Sequence, residues 1–91
     1  MSNVTFDPDK RDVTLRLRGL DLARAAELLS GRKATIEDGR FDYGETRFIT
    51  AGMLDERLVV MVWTQRGEAF HIISMRHCHA KEEQVWRERM D

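Results

Sequence analysis

Cysteine is scarce in this sequence, because Cys78 is the only one among 91 residues. An internal disulfide therefore cannot form, and zinc motifs that need two cysteines are absent. Long apolar runs are also missing, since no stretch approaches about 18 consecutive apolar residues and the N-terminus lacks the apolar core of a signal peptide. These absences predict a cytoplasmic protein without a membrane span.

An excess of charge of one sign is missing as well. The chain has 15 Lys and Arg residues against 16 Asp and Glu residues, which gives a formal net charge of −1 at pH 7. The net charge provides no general attraction to nucleic acid, so any contact with RNA requires a local basic patch. With 42% apolar and 34% charged residues, the composition predicts one globular domain over residues 1–91.

The clearest secondary-structure signal lies between residues 58 and 78. Two apolar runs, 58–63 and 70–75, are rich in β-branched and aromatic residues and flank a polar turn that contains Gly67. Glycine adopts the positive φ of tight reversals easily, so the pattern predicts a long antiparallel hairpin. The first run is apolar at consecutive positions, which predicts a central strand covered on both faces.

Helices are predicted in three segments of the chain. Asp7 and Asp21 have the residue type that caps helices over 9–18 and 22–29, and a third helix is predicted over 80–90. In the first helix, Val13 and Leu17 fall on one apolar stripe, as expected of a helix that packs on a core. The first two helices are joined by a short link and are therefore neighbours.

The remaining β-prone segments complete the predicted sheet. Residues 4–6, 34–37 and 45–52 have the composition or the alternation of strands. The order of elements predicts an α+β fold: a single antiparallel β-sheet with two N-terminal helices and one C-terminal helix.

Several short motifs resemble a known family when they are taken together and in order. The resemblance rests on three blocks that run along nearly the whole chain: Phe6-Asp7-Pro8-x-Lys10, Asp42-Tyr43-Gly44-Glu45-x-Arg47-Phe48 and Ile72-Ile73-Ser74-x-Arg76. In these blocks the sequence resembles the BrnT family, which comprises small ribonuclease toxins of bacterial type II toxin–antitoxin systems.

The resemblance implies a fold, an activity and a partner that composition does not reveal. It implies a RelE-like fold and an endoribonuclease that cuts RNA and arrests growth. It also implies a BrnA-type antitoxin, itself a DNA-binding protein, which wraps the toxin and represses the shared operon. Toxin homodimerisation within that complex is a further implication.

The sequence departs from the family pattern at several positions. Family members usually have Lys-His-Gly at the end of the first helix, where this chain has Leu17-Arg18-Gly19, and often His at the position of Phe41. His77 stands where an arginine is usual, and the final helix is acidic rather than strongly basic. A second hypothesis is therefore a catalytically weakened member that acts as a protein-binding module in antitoxin and operon regulation.

RNA cleavage without a metal requires a base for the 2′-hydroxyl, cations for the phosphorane-like transition state and an acid for the leaving oxygen. Arg76 lies at the polar end of an apolar strand and matches the family motif, so it is the predicted phosphate clamp. The alternative is an ordinary surface arginine. Arg47 can converge on the same patch or serve as a cross-strand partner for Glu45 or Glu37.

Histidine is the natural candidate for proton transfer near neutral pH. His77 or His79 is predicted as general acid or base, with an exposed strand-end histidine as the alternative. His71 and His77 are six residues apart, about 20 Å along a regular strand, which predicts that both lie on one face. His77, Cys78 and His79 are consecutive and cannot easily wrap one ion, so neither a metal site nor a cofactor is expected.

The loop around residues 40–45 and the hairpin turn supply the predicted substrate-binding residues Arg40, Tyr43 and Arg66. Tyr43 can stack on a base or position a phosphate. The alternative is that Tyr43 packs the loop onto the sheet.

Overall fold

A five-stranded sheet forms the centre of the computed structural model, which describes residues 3–40 and 44–90. The strand order is β1-β5-β4-β3-β2. The strands are β1 (Asn3–Phe6), β2 (Lys33–Asp38), β3 (Arg47–Leu54), β4 (Arg57–Arg66) and β5 (Ala69–His77). The predicted central strand is confirmed, because β4 lies in the middle of the sheet and pairs with β3 and β5.

Three α-helices accompany the sheet, as the sequence predicts. They are α1 (Pro8–Arg18), α2 (Ala25–Ser30) and α3 (Ala80–Arg89), and a 3₁₀ turn (Leu22–Arg24) leads into α2. The carboxylates of Asp7 and Asp21 accept hydrogen bonds from backbone N–H groups at the starts of α1 and the 3₁₀ turn. None of the helices described is long and apolar enough to cross a membrane.

One strand corrects the expectation of a wholly antiparallel sheet. β1 pairs with β5 in parallel, while the other three pairings are antiparallel, so the sheet is mixed. The helical segment and three other strands separate β1 from β5 in the chain. No hairpin turn therefore imposes the antiparallel direction on this pair. The predicted α+β class is confirmed.

A β-bulge interrupts the pairing of β4 with β5. Val62 lies opposite Ser74, and the next residue, Trp63, lies opposite Ile72, so Ile73 is an extra residue in β5. One additional residue reverses the alternation of side chains beyond it. The prediction that His71 and His77 share a face is therefore wrong. They lie opposite Thr64 and Val59, which point to different faces of β4.

The two faces of the sheet are covered by different helices. On the first face, which includes Val59 and Met61, the 3₁₀ turn and α2 contribute the buried residues Leu22, Ala25, Leu28 and Leu29. On the second face, Trp86 of α3 packs on Leu58 and Val60. Because both faces are apolar and covered, β4 has the consecutive apolar residues seen in its sequence.

The first helix differs from its prediction. Only Thr14 of α1 is buried, whereas Val13 and Leu17 are 42% and 71% exposed. The apolar stripe of α1 therefore does not face the core. α1 lies beside β5, and Arg18 Nη1 donates a hydrogen bond of 2.9 Å to the backbone oxygen of Met75.

The contact of α2 with β3 depends on a glycine, and it yields a prediction. A Cβ atom at Gly52 would lie 3.0 Å from Leu28 Cγ and 3.3 Å from the Arg32 backbone oxygen. We expect Gly52→Ala to lower the free energy of unfolding by about 1–3 kcal/mol, as overpacked cores do. Urea denaturation measures this, with Gly39→Ala as control because nothing lies within 4 Å of its Cβ position. Equal stabilities for the two variants would contradict the proposed close packing.

Candidate active site

Polar side chains line the part of the second face that extends beyond α3. The register places Arg47 and His71 on either side of Thr64, while Arg76 lies opposite Val60. These positions share the second face because they pair with alternate residues of β4. We call this set the polar strip, and its members are Arg47, Thr64, Arg66, His71, Ser74 and Arg76.

Arg76 lies at the α3 end of the polar strip and is held by a carboxylate. Its Nη1 and Nη2 atoms lie 2.5 and 3.4 Å from the two carboxylate oxygens of Glu82. Glu82 also accepts a hydrogen bond of 3.0 Å from the backbone N–H of His79. The hydrogen bond from Arg76 is the main reason that the pKa of Glu82 falls to about 2. The ion pair neutralises Arg76 and ties the start of α3 to the sheet.

His71 lies at the opposite end of the polar strip, in a cationic environment. Its Nδ1 atom forms a hydrogen bond of 2.9 Å with Thr5 Oγ1, and the described residues place no hydrogen-bond partner on Nε2. Burial and then the positive charge of Arg66 lower the pKa of His71, although Glu45 acts in the opposite direction. The imidazole is therefore neutral near pH 7 and has a nitrogen that can accept a proton.

A shared carboxylate links two arginines near His71. Glu45 lies 3.7 Å from Arg47 and 3.9 Å from Arg66, distances at which the charges interact but hydrogen bonds are long. Arg66 remains 57% exposed. For the exposed Arg66, such a long contact leaves the guanidinium group more accessible to a phosphate than a tight bidentate pair would.

Arg40, which the sequence predicts to bind substrate, forms an ion pair with a buried carboxylate. Its Nε and Nη2 atoms donate hydrogen bonds of 2.8 and 3.0 Å to Asp38, whose side chain is only 1% exposed. A buried carboxylate needs such a partner, so structural pairing accounts for this arginine. Tyr43 lies outside the described residues.

The predicted site residues fall into separated groups. Arg47 and Arg76 are two strands apart and differ by four positions along the register, about 10 Å across and 13 Å along the sheet. His77 pairs with Val59, whose side chain faces the first side of the sheet, and it lines a cavity of about 190 Å³ with Cys78 and the α3 residues Glu83 and Arg87. His79 lies just before α3. The pairing of His77 with Val59 and of Arg76 with Val60 places the two side chains on alternate positions of β5.

Neither a metal nor a reactive thiol is favoured by the donor groups. In the described part of the chain, no three His, Cys, Asp or Glu side chains are grouped closely enough to hold a metal ion. Burial, assisted by the negative charge of Glu82, raises the pKa of the Cys78 thiol. A raised pKa lowers the thiolate fraction, and the thiolate is the nucleophilic form.

His71 is the residue that sequence reasoning missed. On a regular strand it shares a face with His77, and only the extra residue Ile73 brings it to the side of Arg76. No glycine or proline lies in β5 to signal the bulge, so local sequence gave no warning.

The sequence is similar to a known protein family. No curated protein matches the chain. A protein family described as a ribonuclease toxin, BrnT, of type II toxin–antitoxin systems matches residues 6–82. The match covers nearly the whole sequence and includes all four β-strands from β2 to β5. The chain therefore belongs to the BrnT family of ribonuclease toxins from type II toxin–antitoxin systems.

Proposed function

We propose that this protein is a metal-independent endoribonuclease that cleaves RNA on the polar strip and is neutralised by a BrnA-type antitoxin. The observation that supports it most is the position of His71, a neutral imidazole on the same sheet face as Arg47 and Arg66. A proton acceptor beside two cations supplies two of the three functions that metal-free RNA cleavage needs, namely the base and the stabilising cations.

In the proposed reaction, His71 removes the proton from the 2′-hydroxyl. The 2′-oxygen then attacks the adjacent phosphorus to give a 2′,3′-cyclic phosphate, and the bond to the 5′-oxygen breaks while solvent water donates a proton to that leaving oxygen. Arg47 and Arg66 stabilise the negative charge that grows on the phosphate oxygens. Arg76, about 13 Å along the strip from His71, contacts a neighbouring phosphate of the same RNA strand. This proposal places the reacting phosphate near His71, Arg47 and Arg66, whereas the sequence had suggested that it binds at Arg76.

A second candidate function has support from the ion pairs. Each arginine of the polar strip has a carboxylate nearby: Glu45 for Arg47 and Arg66, and Glu82 for Arg76. Compensated charges attract RNA less than open ones do. This favours the hypothesis of a weakened family member that acts mainly by binding its antitoxin. Growth arrest on expression of the chain alone supports the first function, and unimpaired growth supports the second.

The division of roles along the strip can be tested by arginine substitution. We expect Arg66→Ala to lower kcat by about 10²–10³-fold, because it removes transition-state stabilisation. Arg76→Ala should instead raise KM with little change in kcat, because a remote phosphate contact acts on binding. Kinetics on a single-stranded RNA in the presence of EDTA measure both, and Arg57→Ala, which lies on the first face, is the control. A larger loss of kcat for Arg76→Ala than for Arg66→Ala would indicate that the reacting phosphate binds at Arg76.

The role of His71 as base predicts a specific pH dependence. Because the pKa of His71 is lowered, the acidic limb of kcat/KM should lie below pH 6.5. Arg66 lowers this pKa and Glu45 raises it. Arg66→Gln should therefore move the limb to higher pH, and Glu45→Gln should move it to lower pH. Shifts in the same direction, or a limb that persists in His71→Gln, would exclude His71 as the base.

The pairing of Arg76 with Glu82 predicts a gain of activity. Glu82→Gln removes the opposing charge, so Arg76 should bind phosphate more readily and KM for RNA should fall about two- to tenfold. Glu83→Gln is the matched control, because Glu83 lies on the same helix and, among the residues described, forms its ion pair with Arg87 rather than with Arg76. If both variants leave RNA binding unchanged, Glu82 does not restrict Arg76.

A further inference from the structure

One edge of the sheet is incompletely paired. β1 pairs with β5 only at residues 69–72, and within ranges 3–40 and 44–90 no strand pairs with residues 73–77 on that side. Open edge N–H and C=O groups form a template for an added strand. One of these carbonyls, that of Met75, accepts a hydrogen bond from the side chain of Arg18.

A groove runs between this open edge and α1, with a volume of about 280 Å³. Its lining consists of Lys10, Val13, Thr14, Leu17, Arg18 and Ser74. The five helical residues follow the spacing of a single helix face, and they extend over about 12 Å of helix. The open part of β5 extends over about 13 Å, so helix face and strand edge match in length.

The groove combines exposed apolar surface with positive charge. Val13 and Leu17 form its apolar middle and are exposed, although leucine and valine are commonly buried. Lys10 lies at one end of the helix face and Arg18 at the other. A complementary ligand therefore has an extended backbone, apolar side chains at its centre and acidic side chains towards its ends.

We propose that an extended acidic and apolar segment of the antitoxin docks in this groove as an additional strand beside β5. The inference rests on the proposed antitoxin partner and specifies where it binds. The segment's backbone pairs with the edge at residues 73–77. Its apolar side chains cover Val13 and Leu17, and its carboxylates meet Lys10 and Arg18. Adding a strand to an exposed edge is a recurrent mode of peptide recognition.

A second copy of this chain fits the groove poorly. A two-fold pairing of β5 edges would bring two α1 helices together, each with Lys10, Arg16 and Arg18. Like charges facing each other oppose such a dimer. RNA is also disfavoured, because the groove lining contains no aromatic side chain on which a base could stack.

A matched pair of substitutions on α1 tests the proposal. Val13 and Leu15 are both 42% exposed, but only Val13 lines the groove. The probe is the protein encoded beside the gene of this chain, which is co-expressed and purified with it. We expect Val13→Glu to weaken its affinity by about tenfold or more, and Leu15→Glu by less than about twofold. Calorimetric titration with separately refolded partners measures the affinities.

A charge reversal provides a second test that is independent of the folding of Val13→Glu. Lys10→Glu should weaken binding and reduce its salt dependence, whereas Arg16→Glu, which does not line the groove, should have a smaller effect. Hydrogen exchange on the wild-type complex should show new protection at residues 73–77.

Four outcomes would overturn the inference. A complex that forms without protection of residues 73–77, or with equal losses for Val13→Glu and Leu15→Glu, rejects the groove but leaves the antitoxin partner intact. Failure of the wild-type chain to bind the neighbouring protein rejects the groove and the partner together. Protection of residues 73–77 by single-stranded RNA alone would make the groove a nucleic-acid contact.

Discussion

Burial of β4 on both of its faces is the constraint on which the rest of the structure depends. Val59, Met61 and Trp63 pack under the 3₁₀ turn and α2, whereas Leu58 and Val60 pack under α3. The contacts of Trp63 show how closely the side chains of β4 are packed. Its ring stacks on Phe48 at 4.7 Å, meets Phe70 edge-on at 4.9 Å and donates a hydrogen bond to Thr50. A strand so enclosed can lie only inside the sheet, so the polar residues at the ends of its neighbours are left to form the site.

The bulge at Ile73 links this core to the chemistry. Met75 and Ile72 are three residues apart and would alternate to opposite faces on a regular strand, yet both are buried in the same cluster. Core packing on the first face thus requires the extra residue. The same extra residue carries His71 to the second face, beside Arg66 and across Thr64 from Arg47. The packing of Ile72 and Met75 on the first face therefore determines that His71 lies on the second face.

The charges of the polar strip illustrate the limited value of counting arginines in a sequence. Arg40 and Arg76 have similar surroundings in sequence, since each lies near the polar end of a strand-forming segment. In the fold, Arg40 satisfies a buried aspartate, whereas Arg76 meets Glu82 at the surface of α3. An arginine that pairs with a buried acid contributes to folding, because it offsets the cost of burying the carboxylate. One that pairs at the surface can exchange its partner for a phosphate.

The sequence by itself determined the α+β class, the central position of β4, the hairpin turn at Gly67 and the family motifs, because these depend on local alternation and turn chemistry. Only the tertiary structure decided the parallel pairing of β1, the exposure of α1 and the faces on which His71 and His77 lie. Each of these depends on contacts between residues distant in sequence. Local periodicity contains no information on such contacts, since one inserted residue reverses a face without changing the composition of the strand.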